Sequence, residues 1–310
     1  MYGFVLKRLA LAIPVLLGIA TIIFFLMFAI PGDPVQLLMG QHGDPETAAT
    51  IRSELGLDKP LYVQYFRFIG RLLKGDLGRS YRQRREVTEI LFERLPATLK
   101  LGTAALCLAV FFGIAAGIIA ALNRNKPVDG VVMLGSLVGI STPVFWLGLM
   151  LIVVFAVRLK WLPVAGYGTG GDLRHLVLPA VSLSLVYLGY IARITRSSLL
   201  EVIGMEFLRT ARAKGLGQRA AAVKHGLRNA LIPIVTVIGL NFAGLLGGAV
   251  ATETVFAWPG IGRAMVDAIR MRDIPVIEGG VILLSLSFVL INLLVDISYS
   301  FIDPRVKLER

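Results

Sequence analysis

Chemically reactive side chains are scarce in this chain. Its 310 residues include one cysteine and three histidines, and only 17% are charged. Cys107 lies inside an apolar block, so it has no intrachain disulfide partner and leaves the redox compartment undecided. His42, His175 and His225 fall in three separate loops, which excludes a metal site that all three share within one chain. There is no G-x-x-x-x-G-K-[ST] phosphate loop, which excludes ATP binding and hydrolysis by the usual P-loop route. H-E-x-x-H and G-x-S-x-G are also missing, so neither a zinc protease nor a serine hydrolase of the usual kind is indicated.

What the chain has in abundance is apolar sequence. Hydrophobic residues make up 56% of it and the mean hydropathy is +0.75, too much for one soluble core. The excess falls in six blocks: Leu9 to Ile30, Leu101 to Leu122, Val131 to Val157, Leu176 to Ala192, Ala230 to Thr252, and Gly279 to about Ile302. Each approaches the ~20 residues that a helix needs to cross a ~30 Å hydrocarbon layer. The predicted architecture is therefore all-α, a polytopic bundle of six transmembrane helices forming one domain over 1–310. Lys7 and Arg8 precede the first block as they would in a signal peptide, but 22 apolar residues with no small-x-small cleavage site read as a retained anchor. Only the sixth block carries a charge, Asp296. A lone carboxylate lacks the partner that an intramembrane aspartyl protease requires, so reaching the interface or pairing with a loop arginine is expected.

An even number of spans puts both termini on one side. With the termini inside, the inner segments hold 15 of the 32 Lys and Arg, the two short outer loops hold six, and the long loop 31–100 holds 11. Short loops carry the orientation signal, so the termini are expected in the cytoplasm. The net charge of +12 thus reports topology before it reports nucleic acid. Pro14, Pro143, Pro179 and Pro233 sit inside spans, and Gly113 with Gly117, Gly135 with Gly139 and Gly244 with Gly248 are spaced for close helix approach. A packed bundle follows, with ordinary helix packing as the simplest role for these glycines.

The loops carry structure of their own. In 31–100, Asp44-Pro45-Glu46 predicts a helix start towards Leu55. A second helix is expected after Pro60, with Leu61, Tyr65, Phe68, Ile69 and Leu72 on one face and Gly75 as its stop. The stretch holding Arg82, Arg84 and Arg85 suits either a partner or anionic lipid head groups. The cytoplasmic segment 193–229 holds eight Lys or Arg against two Glu. Ser198 and Glu201 have capping-box spacing, Gly215 breaks the helical pattern, and a short helix of small residues is expected from Gln218 to His225. Such a projection suits a cytoplasmic protein, with a basic loop on anionic lipid as the alternative. RNA lacks an aromatic stacking platform here. In the outer loop 253–278, Trp258 reads as an interfacial aromatic and Pro259-Gly260 as a turn, before a short helix with Ile261, Met265 and Ile269 on one face.

Arg209-Thr210-Ala211-Arg212-Ala213-Lys214-Gly215-Leu216-Gly217, with His225-Gly226-Leu227-Arg228-Asn229-Ala230-Leu231-Ile232-Pro233, resembles the coupling loop of permease subunits of bacterial ABC importers, closest to the peptide and nickel branch. Pro31-Gly32-Asp33-Pro34, Leu55-Gly56-Leu57-Asp58, Gly75 to Ser80, Val255 to Gly262 and Asp303-Pro304-Arg305 extend the resemblance over nearly the whole chain. One departure is Arg209, which stands where the general importer motif begins with glutamate.

The resemblance implies a type I importer permease fold in the bacterial inner membrane. It also implies a second, usually non-identical permease, an external solute-binding protein, and two cytoplasmic ATPases that bind ATP and magnesium, with no cofactor in this chain. It assigns Ala211, Ala213, Gly215, Leu216, Gly217, Arg219, Ala221, His225 and Arg228 to ATPase docking. Arg82, Arg84, Arg85, Phe256, Trp258, Pro259 and Gly260 go to binding-protein docking and the outer gate. Di- and oligopeptides, glutathione and nickel chelates all fit. No intramembrane cluster of Cys, His and Met favours bare nickel, which leans the reading to short peptides. A membrane-bound enzyme or an assembly factor is the alternative from another class.

Overall fold

Residues 2–29, 35, 49, 52–53, 56–169 and 172–302 are described by the computed structural model. Of the helix expected from Asp44 towards Leu55, only Ala49, Arg52 and Ser53 are among the described residues, and all three are helical. The helices are α1 (Tyr2–Ala29), α2 (Leu61–Leu73), α3 (Val87–Leu122), α4 (Pro127–Ser141), α5 (Val144–Leu151), α6 (Leu173–Ile203), α7 (Glu206–Ala213), α8 (Gln218–Ala221), α9 (Leu227–Val255), α10 (Ile261–Met271) and α11 (Ile274–Ile302). Two π-helical turns, Ile152–Arg158 and Ala222–Gly226, continue α5 and α8. Among the described residues the six apolar blocks are helical except at Thr142 and Pro143, and no strand occurs. Among those residues three helices are long and apolar enough to cross a membrane, α3, α6 and α11, and a fourth crossing is added if α4 and α5 are taken as one.

The bundle is built around α3 and α6, whose close approach follows from small residues. A Cβ added to Gly113 would come within 2.9 Å of Ile191, and one added to Gly117 within 2.5 Å of Thr195 and 2.6 Å of the Ala192 carbonyl. Ala105, Ala109, Ala120 and Ala121 complete the buried stripe of α3. On its other flank α6 meets α4 in the same way, Gly189 lying against the Ser136 carbonyl and Gly139 against that of Leu185. A Cβ added to Gly135 would meet nothing within 4 Å, so only Gly139 of that expected pair is required by close packing. α9 closes the third side, where Leu245 and Ala249 join Leu176, Ala180 and Leu183 of α6. Phe111, Leu134, Val138 and Val157 point outward and are exposed, as a lipid-facing surface requires.

Three expectations are corrected. The block 131–157 is not one straight span: α4 and α5 meet at 106°, because Pro143 offers no N–H to the preceding turn. Ser198 and Glu201 start no helix, since α6 runs unbroken to Ile203 and buries Ser198. The short helix at Gln218 does not end at His225 but runs through a π turn into α9. The amphipathic helix α2 forms as expected and lays Phe68, Tyr65, Ile69 and Leu72 against Ala20 and Phe24 of α1, with Gly75 at φ +75° ending it.

Gly117→Val is expected to lower stability by roughly 1–3 kcal/mol, because a backbone carbonyl and a β-branched side chain must both give way. Thermal unfolding of the purified protein in detergent, followed by loss of monodisperse material, checks this.

Candidate partner interfaces

At one end of the bundle, α6 passes through Gly204 into α7, and Gly215, at φ +92°, turns the chain towards α8. That φ is accessible to glycine at little cost, and open space surrounds the residue. The underside of the segment is apolar. Leu208 of α7 and Ala221 of α8 share one core with Leu199 and Val202 of α6, Ala121 of α3, and Ala230 and Ile234 of α9. Gly226 permits this, because a Cβ there would lie 3.3 Å from both Leu199 and Leu208. The nine residues assigned to ATPase docking therefore divide. Ala213, Gly215, Gly217, Arg219 and Arg228 are exposed, whereas Ala211, Leu216 and His225 are half-buried. Ala221 is 2% exposed and faces this chain's own core, so the expectation that it presents itself to a groove is corrected.

On the opposite side two buried carboxylates organise the loops. Glu253, at the end of α9, accepts from the Thr98 hydroxyl at 2.7 Å and from the Arg263 backbone N–H at 3.0 Å. Thr98 in turn accepts from the Ile261 N–H at 2.9 Å. Two of the N–H groups left open at the start of α10 are thus satisfied by side chains, one from the end of the preceding helix and one from α3. Gly260 lies directly on the Glu253 carboxylate, where any side chain would collide. Trp258 is not interfacial. It is fully buried, donates from Nε1 to the Ala97 carbonyl at 2.8 Å, and meets Tyr167 edge to face at 4.6 Å. Phe256 is buried as well, against Gly148 of α5. Of the proposed outer-gate residues, Pro259 alone is half-buried; Phe256, Trp258 and Gly260 are internal. On α10, Ile261 is buried and Met265 packs beside it, but Ile269 is 58% exposed, which breaks the expected face.

Asp273 is the second carboxylate. It accepts from the Ser80 hydroxyl at 2.5 Å, the Tyr81 N–H at 3.0 Å and the Arg82 N–H at 3.4 Å. Arg82 adds a bond from Nε to the Met271 carbonyl at 3.1 Å. Burial pushes the Tyr81 phenol up to about 12, helped by the charges of Glu278 and Asp273 and opposed by Arg71, so it stays protonated at physiological pH. The three candidate docking arginines differ in consequence. Arg85 forks onto Glu93 of α3, Arg82 holds the α10–α11 turn, and the exposed Arg84, at φ +54°, forms the tip of the turn. Among the described residues, no three His, Cys, Asp or Glu side chains gather as a metal site. Asp296 and His42 lie outside the described side chains.

The geometry defines a membrane-embedded helical bundle with a structured segment on each side. Comparison with solved structures agrees on the fold. The chain is similar to the permease of an inward-facing methionine ABC transporter, MetNI, with a TM-score of 0.56 at 18% identity over 70% of this chain and 97% of that one. An amino acid ABC transporter gives a TM-score of 0.53 at 17% identity, over 70% and 94%. Residues 113–308 match the family of binding-protein-dependent transport system inner membrane components, and residues 1–102 match the N-terminal model of the same systems. The chain belongs to this family of inner-membrane transport permeases. It is 45% identical over 307 residues, 99% of each chain, to the glutathione transport system permease protein GsiC of Salmonella paratyphi A. It is 44% identical over the full length of both chains to the di/tripeptide transport system permease protein DppB of Pseudomonas aeruginosa.

Asp273→Asn should loosen the Ser80–Arg82 turn, because an amide offers one acceptor oxygen and sets its NH2 against a donor. At about 1–3 kcal/mol for a buried donor left unsatisfied, trypsin cleavage after Arg84 should accelerate by about tenfold. Timed digestion of the purified protein measures it.

Proposed function

We propose that this chain is one of two permease subunits of an ATP-driven importer that carries short peptides, glutathione among them, from an external binding protein into the cytoplasm. The observation that carries the reading is the full-length likeness to permeases named for glutathione and di/tripeptide transport. The segment Glu206–Gly226 is its cytoplasmic handle. Its exposed edge, with Ala213, Gly217 and Arg219, meets an ATPase together with Arg228 at the start of α9, while its apolar underside ties it to α3, α6 and α9. When ATP draws two such ATPases together, the two permeases' handles approach each other and the cavity between the subunits opens outward to receive solute. The outer loops receive the binding protein, with Arg84 as the arginine whose side chain is not needed to hold the turn. Both termini lie in the cytoplasm. Peptide selectivity rests mostly with the binding protein, so identifying the ligand that copurifies with it names the substrate.

Two measurements test this. A cysteine probe at Gln83, in a chain lacking Cys107, should be labelled from outside intact cells, and one at Gln218 only after permeabilisation; the reverse pattern overturns the topology. In the reconstituted complex, Ala213→Glu and Arg219→Glu should leave the bundle folded, since both positions are exposed. They should lower ATPase binding and peptide uptake by at least tenfold while the ATPases' basal turnover persists. Normal uptake in both variants would reduce the handle to a lipid-facing basic segment.

A further inference from the structure

The cytoplasmic ends of α4 and α6 are joined by an ion pair that membrane insertion does not require. Asp129, in the first turn of α4, accepts from Arg196 Nε at 2.5 Å and from Nη2 at 2.7 Å. The Asn125 N–H, at the φ +62° turn before α4, donates to the same carboxylate at 3.1 Å. The Asp129 side chain is 7% exposed and that of Arg196 25%. Apolar residues of similar volume would join the two helices about as firmly. What the two-pronged fork adds is a fixed relative direction.

Arg196 stands at a junction of α6. On its outer-facing side, Ile191 and Thr195 lock onto Gly113 and Gly117 of α3. On its cytoplasmic side, Leu199 and Val202 carry Leu208 of α7 and Ala221 of α8. From Asp129, α4 runs to the 106° bend and α5 leads on to Gly148. A Cβ at Gly148 would come within 2.9 Å of the Phe256 ring. Phe256 anchors the outer loop, and its carbonyl accepts from the Gly166 N–H at 2.8 Å. The bent pair α4–α5 therefore has one end clamped beside the cytoplasmic handle and the other seated on the outer loop.

From this arrangement we propose that Asp129 and Arg196 are a positioning pair for transport, which makes α4 and α5 move with α6, so that displacement of α7 and α8 by the ATPases reaches the Phe256 loop. The inference rests on the importer reading above. A brace that only stabilises the fold would matter for assembly and not for the yield of transport per ATP.

The test uses the whole complex in proteoliposomes, with both permeases, the ATPases and the binding protein. Uptake of a labelled dipeptide or glutathione, whichever the parent complex transports, is measured together with ATP hydrolysis. Asp129→Asn and Arg196→Gln should assemble and hydrolyse ATP within about twofold of the parent, while solute moved per ATP falls at least tenfold. Exchanging the charges, Asp129→Arg with Arg196→Asp, should restore at least a third of the parent ratio. Asp129→Leu with Arg196→Met keeps the packing and removes the fork; it should assemble and be uncoupled like the single variants, and it decides the matter if they fail to fold. Parent-like transport per ATP in this double variant overturns the proposal, as does failure of every variant to assemble. A parent complex without ATP-driven uptake of either solute overturns the importer reading itself, and this inference with it.

Discussion

Two glycines on α3 set the distance on which the bundle depends. In a hydrocarbon surround, helices gain little from leaving lipid for each other, so their association comes from close van der Waals contact. Gly113 and Gly117 bring α3 near enough for the Ala192 carbonyl and the Thr195 side chain to fill the space that Cβ atoms would occupy. With α6 so placed, its other flanks are available to α4 and α9, and both accept the same solution of small residue against backbone or aliphatic side chain. The C-terminal third of α6 then emerges with Leu199 and Val202 already positioned for α7 and α8.

Polar chemistry is concentrated where the helices end. Turns and helix starts leave N–H groups open, and near the membrane a donor without an acceptor is costly. Glu253 and Thr98 satisfy the first turn of α10, and Asp273 satisfies the turn at Ser80–Arg82. Glu253 serves the helix that follows it, but its partner Thr98 and the carboxylate Asp273 each reach a segment more than 150 residues away, so these loops form one connected body rather than independent flaps.

How much of this was legible in the sequence follows from which forces leave local traces. Apolar block length located the long helices, and the small residues from Gln218 to His225, inside a basic loop, marked the short helix of the handle. Gly75 and Gly215 were readable as stops, and both have positive φ. Tertiary partnership leaves no such trace. Trp258 beside a Pro-Gly turn looks like an interfacial aromatic until Ala97, 161 residues earlier, supplies its acceptor. Ala221 looks like a docking residue because small side chains suit both a groove in a partner and a seam within the chain; here the seam holds it. Asp129 and Arg196 belong to no motif in the sequence. Their only hint was placement, since Asp129 follows Pro127 in the first turn of a helix, where an acid is common for reasons unrelated to a partner.

The Thr98–Glu253 bond also bears on how the chain can be divided. Two family models meet between residues 102 and 113, as though an N-terminal unit had been joined to a transport core. That seam in sequence is not a seam in folding. Thr98 and Ala97 belong to the first unit, and they supply the donor for Glu253 and the acceptor for Trp258 in the second. α3 itself runs across the boundary without a break. The start of α3 is thus part of the interior of the transport core, and chimaeras that exchange the N-terminal unit between related permeases must leave that start with the core, or supply a hydroxyl at position 98, to keep the donor of a buried carboxylate.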